Sequence, residues 1–171
     1  MGALLSGTTN STDSTDPLAT IRPLHASFPD FLLDKNWSGE FFIDLSHIHD
    51  ELAFACLGIM KDELQFNICE LTSSYIPNSE IPDGDRRIKV NISHELSYAC
   101  QFWTDHLQHT QFDLSLAEEV RAFFNHERLL FWFEVLSLLK KISICTSLLS
   151  FVIQWAMVCV LVHYNYICSD I

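Results

Sequence analysis

Apolar residues recur at helical spacing through most of this chain, most clearly in its middle. From Asp44 or Ser46 to about Leu64, the positions Ile48, Leu52, Cys56, Ile59 and Met60 form a stripe that predicts an amphipathic helix. Gln65 to Leu71 reads as one further helical turn. Pro77, Pro82 and Gly84 then mark residues 72–84 as a connecting loop. A helical piece around Arg86 to Val90 leads into a stronger helix over 93–109, where Ile92, Leu96, Ala99, Cys100, Trp103 and Leu107 share a face. Ser115 and Glu118 have the spacing of a capping box for the next helix, whose inner side is Leu116, Val120, Phe123 and Phe124. From about Glu127 a further helix carries Leu129 to Phe133, Val135, Leu136, Leu138 and Leu139. A helix apolar nearly all round belongs at the centre of a bundle. No internal repeat is present at the period of a solenoid or propeller.

The N-terminal third is less regular. Ala3, Leu4 and Leu5 read as the end of a truncated helix, and 8–17 is a polar Ser/Thr/Asn/Asp loop. Ile21 to Leu24 is a short β-prone run that ends at His25. Ser27, three residues before Asp30, then reads as the N-cap of a short helix. Pro29 sits in its first turn, where a missing N–H costs little, and Phe28, Phe31 and Leu32 share one face. Asn36 to Glu40 reads as a turn, followed by the apolar run Phe41, Phe42, Ile43.

Bulk properties narrow the function classes. The chain has 171 residues, 49% of them apolar, enough for one packed domain or for parts of two. Its formal charge of −12 argues against a nucleic-acid partner, because that field repels phosphate backbones. Six cysteines (56, 69, 100, 145, 159 and 168) are widely spaced, with no C-x-x-C pair, and read as reduced thiols of a cytosolic protein. The start, MGALLSG, lacks the basic region of a signal peptide. Met1-Gly2 with Ser6 fits the loose myristoylation pattern, but no basic cluster lies beside it to complete an anchor. Sequons at Asn10, Asn36 and Asn91 carry no weight in a cytosolic chain.

The segment TIRPLHASFPDFLLD resembles the closing segment of the winged-helix domain in NACHT-type STAND nucleoside triphosphatases, which often reads L-H-x-S-F-x-D/E-F-L. Further along, NICEL, LSYACQFWTDH and LLFWFEVLSLL are similar to the helical region that follows the winged helix in fungal, basidiomycete-type members. The resemblance implies a mostly α fold, with a winged-helix remnant over 1–35, a multi-helix bundle over 36–155 and a divergent apolar tail over 156–171. It also implies a regulatory or interaction fragment of a nucleotide-dependent switch, partnered by an NTPase core or by repeat domains of related chains. In that family the His of the motif contacts the β-phosphate of bound nucleotide, which assigns that ancestry to His25. This chain departs from the family in having no G-x-x-x-x-G-K-S/T loop and no acidic Mg²⁺-binding strand, so no catalytic residues and no cofactor are expected. It reads as a truncated gene product or as a short paralogue that acts by association.

Other chemistry is thin. His47 and His49 form an H-x-H, and His106 lies one turn from His109, but zinc wants three or four convergent ligands. These pairs read as solvated polar faces, so no metal is expected. No G-x-S-x-G elbow frames a nucleophile, and Phe131-Trp132-Phe133 reads as core. The C-terminal stretch gives a second reading. No Asp, Glu, Lys or Arg occurs from Ile142 to Ser169, and Lys140 and Lys141 precede that stretch. Residues 142–164 are thus a candidate transmembrane helix of a single-pass, tail-anchored protein with its body in the cytosol. The competing reading is a cytoplasmic bundle helix, given a polar side by Ser143, Thr146, Ser147, Ser150 and Gln154.

Overall fold

The computed structural model describes residues 5–6, 22–23, 25–111, 113–125 and 127–169, with side chains described for 25–111, 113–125 and 127–157. The chain is mostly α, with eight α-helices among the described residues. It divides into two compact units, one ending at Leu45 and the other beginning at Ser46.

In the first unit, β1 (Leu5–Ser6) pairs antiparallel with β2 (Arg22–Pro23), Leu5 opposite Pro23. Leu5 is therefore strand, not the helix end expected of it. The rest of 1–7 and the polar loop at 8–17 lie outside the described residues. Helix α1 (Ser27–Leu33) follows, then α2 (Lys35–Ser38) and a 3-10 turn at Gly39–Phe41 where a simple turn was expected. The sequence hid the cause of α2, which is Asp34. Its carboxylate accepts from the N–H groups of Asn36 and Trp37, at 2.9 and 3.2 Å, supplying partners to orphan donors at the helix start. Ring contact between Phe31 and Trp37 and a bond from Ile43 N–H to the Leu32 carbonyl tie the segment together.

The second unit is a helical bundle. Helix α3 (Leu45–Glu63) runs antiparallel to α5 (His94–Leu107). Near its start His49 meets His106, while at its end Glu63 accepts from the hydroxyl of Ser93, the N-cap of α5, at 2.6 Å. The buried face of α3 is Ala53, Cys56, Leu57 and Met60. Cys56 and Met60 belong to the expected stripe, but Ile48 is 38% exposed and Leu52 and Ile59 are only partly buried. The face is rotated because the inward positions include Ala53, too small to weigh in a pattern, and His49 at their head.

Residues 65–71 are tight turns, not a further helical turn, since Asn67 and Glu70 adopt left-handed φ of 52° and 51° that interrupt any helix. Arg87, on α4 (Gly84–Asn91), holds this segment by donating to the Cys69 and Glu70 carbonyls. Asn78 in the following loop donates to Ser137 Oγ, strapping the loop to α7 (Arg128–Leu138).

Helices α5, α6 (Leu114–Phe124) and α7 supply the core, with a triangle of Trp103, Phe123 and Trp132 at its heart. Their ring centroids lie 5.4 to 6.4 Å apart, and two of the three pairs meet edge-on. Trp132 donates its indole N–H to the Cys100 carbonyl at 2.9 Å, whereas Trp103 Nε1 and Thr104 Oγ1 are buried without a partner among the described residues. Of the aromatic run at 131–133, Trp132 is core, as expected, and Phe131 and Phe133 pack partly buried against it. Helix α6 is capped by Asp113, whose carboxylate accepts from Leu116 N–H at 2.8 Å, and not by Ser115. Helix α6 already includes Ser115, which therefore lies past the position where a cap acts. Asp113→Ala is expected to cost about 1 kcal/mol, and Ser115→Ala only a few tenths, measured by urea unfolding.

A 3-10 turn at Ile142–Ile144 precedes α8 (Cys145–Ser169), so the stretch 142–164 is not one uninterrupted helix. Cys145, Leu148 and Val152 are buried in the bundle core. Among the described residues no helix is long and apolar enough to cross a membrane. The side chains of the candidate span beyond Met157 lie outside the described residues.

Candidate functional site

His25 sits at the junction between β2 and α1, one residue before the N-cap Ala26. It is exposed, and its ring turns toward the start of the helix. Nδ1 accepts from Ser27 N–H at 3.1 Å and lies 2.6 Å from Ser27 Oγ. The expected cap is thus inverted. Ser27 is the first helical residue, and the imidazole supplies the acceptor that Ser27 was expected to be. Accepting at Nδ1 leaves the ring hydrogen on Nε2. Nε2 has no hydrogen-bond partner among the described residues.

A second group of side chains converges where α3 and α5 meet. His106 Nδ1 is 3.0 Å from His49 Nδ1, and His106 Nε2 is 2.7 Å from the Tyr98 hydroxyl. His49 also stacks on His109 with centroids 4.6 Å apart, and His109 Nδ1 bonds the Asp105 carbonyl at 2.7 Å. The solvated-face reading therefore fails for His106, which is 7% exposed, and for half-buried His49. It suits His47, an exposed residue whose ring lies 3.6 Å from Glu51. The overlooked signal lies in the spacing. His106 falls three positions after Trp103 and next to Leu107, and His49 falls four before Ala53. Both are inward positions of their helices.

Burial pushes His106 below the usual imidazole range. His49 and His109 push the same way, against Asp105. Among the described residues no group of three or more His, Cys, Asp or Glu is arranged to hold a metal ion. The four described cysteines are free and buried. Burial raises Cys56 to about 11 and Cys100 to about 12, so neither supplies a thiolate near neutral pH. Cys159 and Cys168 lie outside the described side chains.

An open groove of about 500 Å³ lies between the turn at 66–75 and α7. It is lined by Phe66 and Tyr75, with Glu134 accepting from Asn67 N–H at its edge. No family model, no curated protein and no solved structure matches this chain.

Proposed function

We propose that this chain is a regulatory and interaction module of the NACHT-type STAND kind, acting in the cytoplasm by association with an NTPase core or repeat domains and not by catalysis of its own. The observation that carries this reading is the first unit. Among its described residues no apolar side chain is buried, while Trp37 (64%) and Phe41 (62%) stand open. A segment with that surface gains by covering it against another protein. A bridge of two short strands leading into α1 fits the closing part of a winged helix.

His25 fits the same reading. An N–H donor at Nε2 would suit a phosphate oxygen, and the bond from Ser27 N–H to Nδ1 orients the ring that carries it. Side-chain loss at this exposed site, His25→Ala, is expected to cost the isolated chain about 1 kcal/mol or less. The decisive experiment grafts residues 20–45 into a complete NACHT relative and compares His25 with His25→Ala for ADP affinity and resting activity. Looser ADP binding with raised resting activity supports the proposal. Unchanged ADP affinity makes His25 a plain helix cap and overturns it.

A further inference from the structure

We propose that Tyr98, His106 and His49 form a proton-sensitive clasp that holds the first turns of α3 against the end of α5 and opens in mild acid. The geometry allows one hydrogen-bond chain with every ring neutral. Tyr98 O–H donates to His106 Nε2, and His106 Nδ1–H donates to His49 Nδ1 across 3.0 Å. A first proton taken up by His106 keeps both hydrogen bonds, because Nε2–H then donates to the phenol oxygen, but it costs stability by charging a buried ring. A second proton, on His49 Nδ1, sets two N–H groups head to head with like charges on both rings, and the contact must part.

Few described groups act on His106, and beside His49 on α3 the buried Asp50 Oδ1 has no hydrogen-bond partner among the described residues. His49 on α3 and His109 on α5 oppose protonation of His106, and Asp105 on α5 favours it. Among the described residues no ionisable group of α7 or α8 contributes there. Glu134 of α7 is engaged with the Asn67 amide, and α8 has no Asp, Glu, Lys or Arg. On α3 the next residues are Asp50 and Glu51, the latter beside His47.

The sign of the pH effect follows. A histidine with a lowered folded-state pKa binds its proton more readily once unfolded. Its contribution is whole above the unfolded value of about 6.5 and is lost as pH falls from there through the folded value.

The test uses the full chain, with imidazole nitrogen NMR from pH 7.5 to 4.5 alongside urea unfolding. We expect His106 to titrate below about 6.5 and to carry its neutral-form hydrogen on Nδ1, the state in which Tyr98 donates. The urea midpoint should hold steady above about pH 6.5 and fall by pH 5. His49→Gln, which keeps a hydrogen-bonding side chain but cannot charge, should make that fall smaller, leaving the part that burial of His106 causes. If His49→Gln does not fold, the wild-type NMR titration decides. Titration of His106 at or above about 6.5, or an equal acid loss in His49→Gln, overturns the clasp. A midpoint raised by Zn²⁺ at pH 7.5 also overturns it, by making the pair a metal clip.

Discussion

Trp132→Ala should cost the helical unit about 3–5 kcal/mol, a large share of the roughly 5–15 kcal/mol that holds a domain of this size. Trp132 is 0% exposed, its ring meets Trp103 and Phe123 edge-on, and its indole N–H engages the Cys100 carbonyl. Truncation removes the rings' partner, opens a cavity and takes away the second donor to the Cys100 carbonyl. Leu130→Ala is the control. Leu130 lies on the same helix but is 65% exposed, so its loss should stay within about 0.5 kcal/mol. Urea unfolding followed by circular dichroism measures both, and equal effects would mean that α7 presents a different face to the core.

Met60→Ala should cost about 2–5 kcal/mol, while Ile48→Ala should cost well under about 1 kcal/mol. The two sit on the same helix, and by hydrophobic patterning alone they belong to the same stripe. The structure separates them, with Met60 fully buried and Ile48 at the exposed edge. Comparable losses would restore the stripe read from the pattern and would displace His49 from the inward face.

The parts of the fold that were plain in the sequence are those built on large side chains. Leu96, Trp103, Leu116, Phe123 and Trp132 announce their helices and their inward faces, because burying such groups dominates the energetics and leaves a clear period. Helix starts were legible only in part. In α1 and α6 a serine at capping distance was credited, while the acceptors in use are His25 and Asp113. In each case the serine lies just inside the helix and the acceptor two residues upstream. Several polar side chains near a helix start can cap it, and only the backbone path chooses among them. The stripe of α3 was misjudged because a histidine counts as polar in any pattern, whereas His49 is satisfied by His106 from 57 positions away. Such a pairing of distant polar groups is invisible until the helices are laid side by side. His25 was legible as a junction residue, but not the turn of its ring toward Ser27.

The aromatic triangle favours one order of events in folding. Trp103, Phe123 and Trp132 come from three successive helices, so the loops that must close to join them are short and their closure entropy is small. The α5–α7 segment is therefore the natural nucleus, able to collapse before its flanks are in place. Helix α3 is made before α5, the helix that meets it at His49 and Glu63. During that interval Met60 and Leu57 face water, and the growing chain is most exposed to wrong association while its central helices are still unmade.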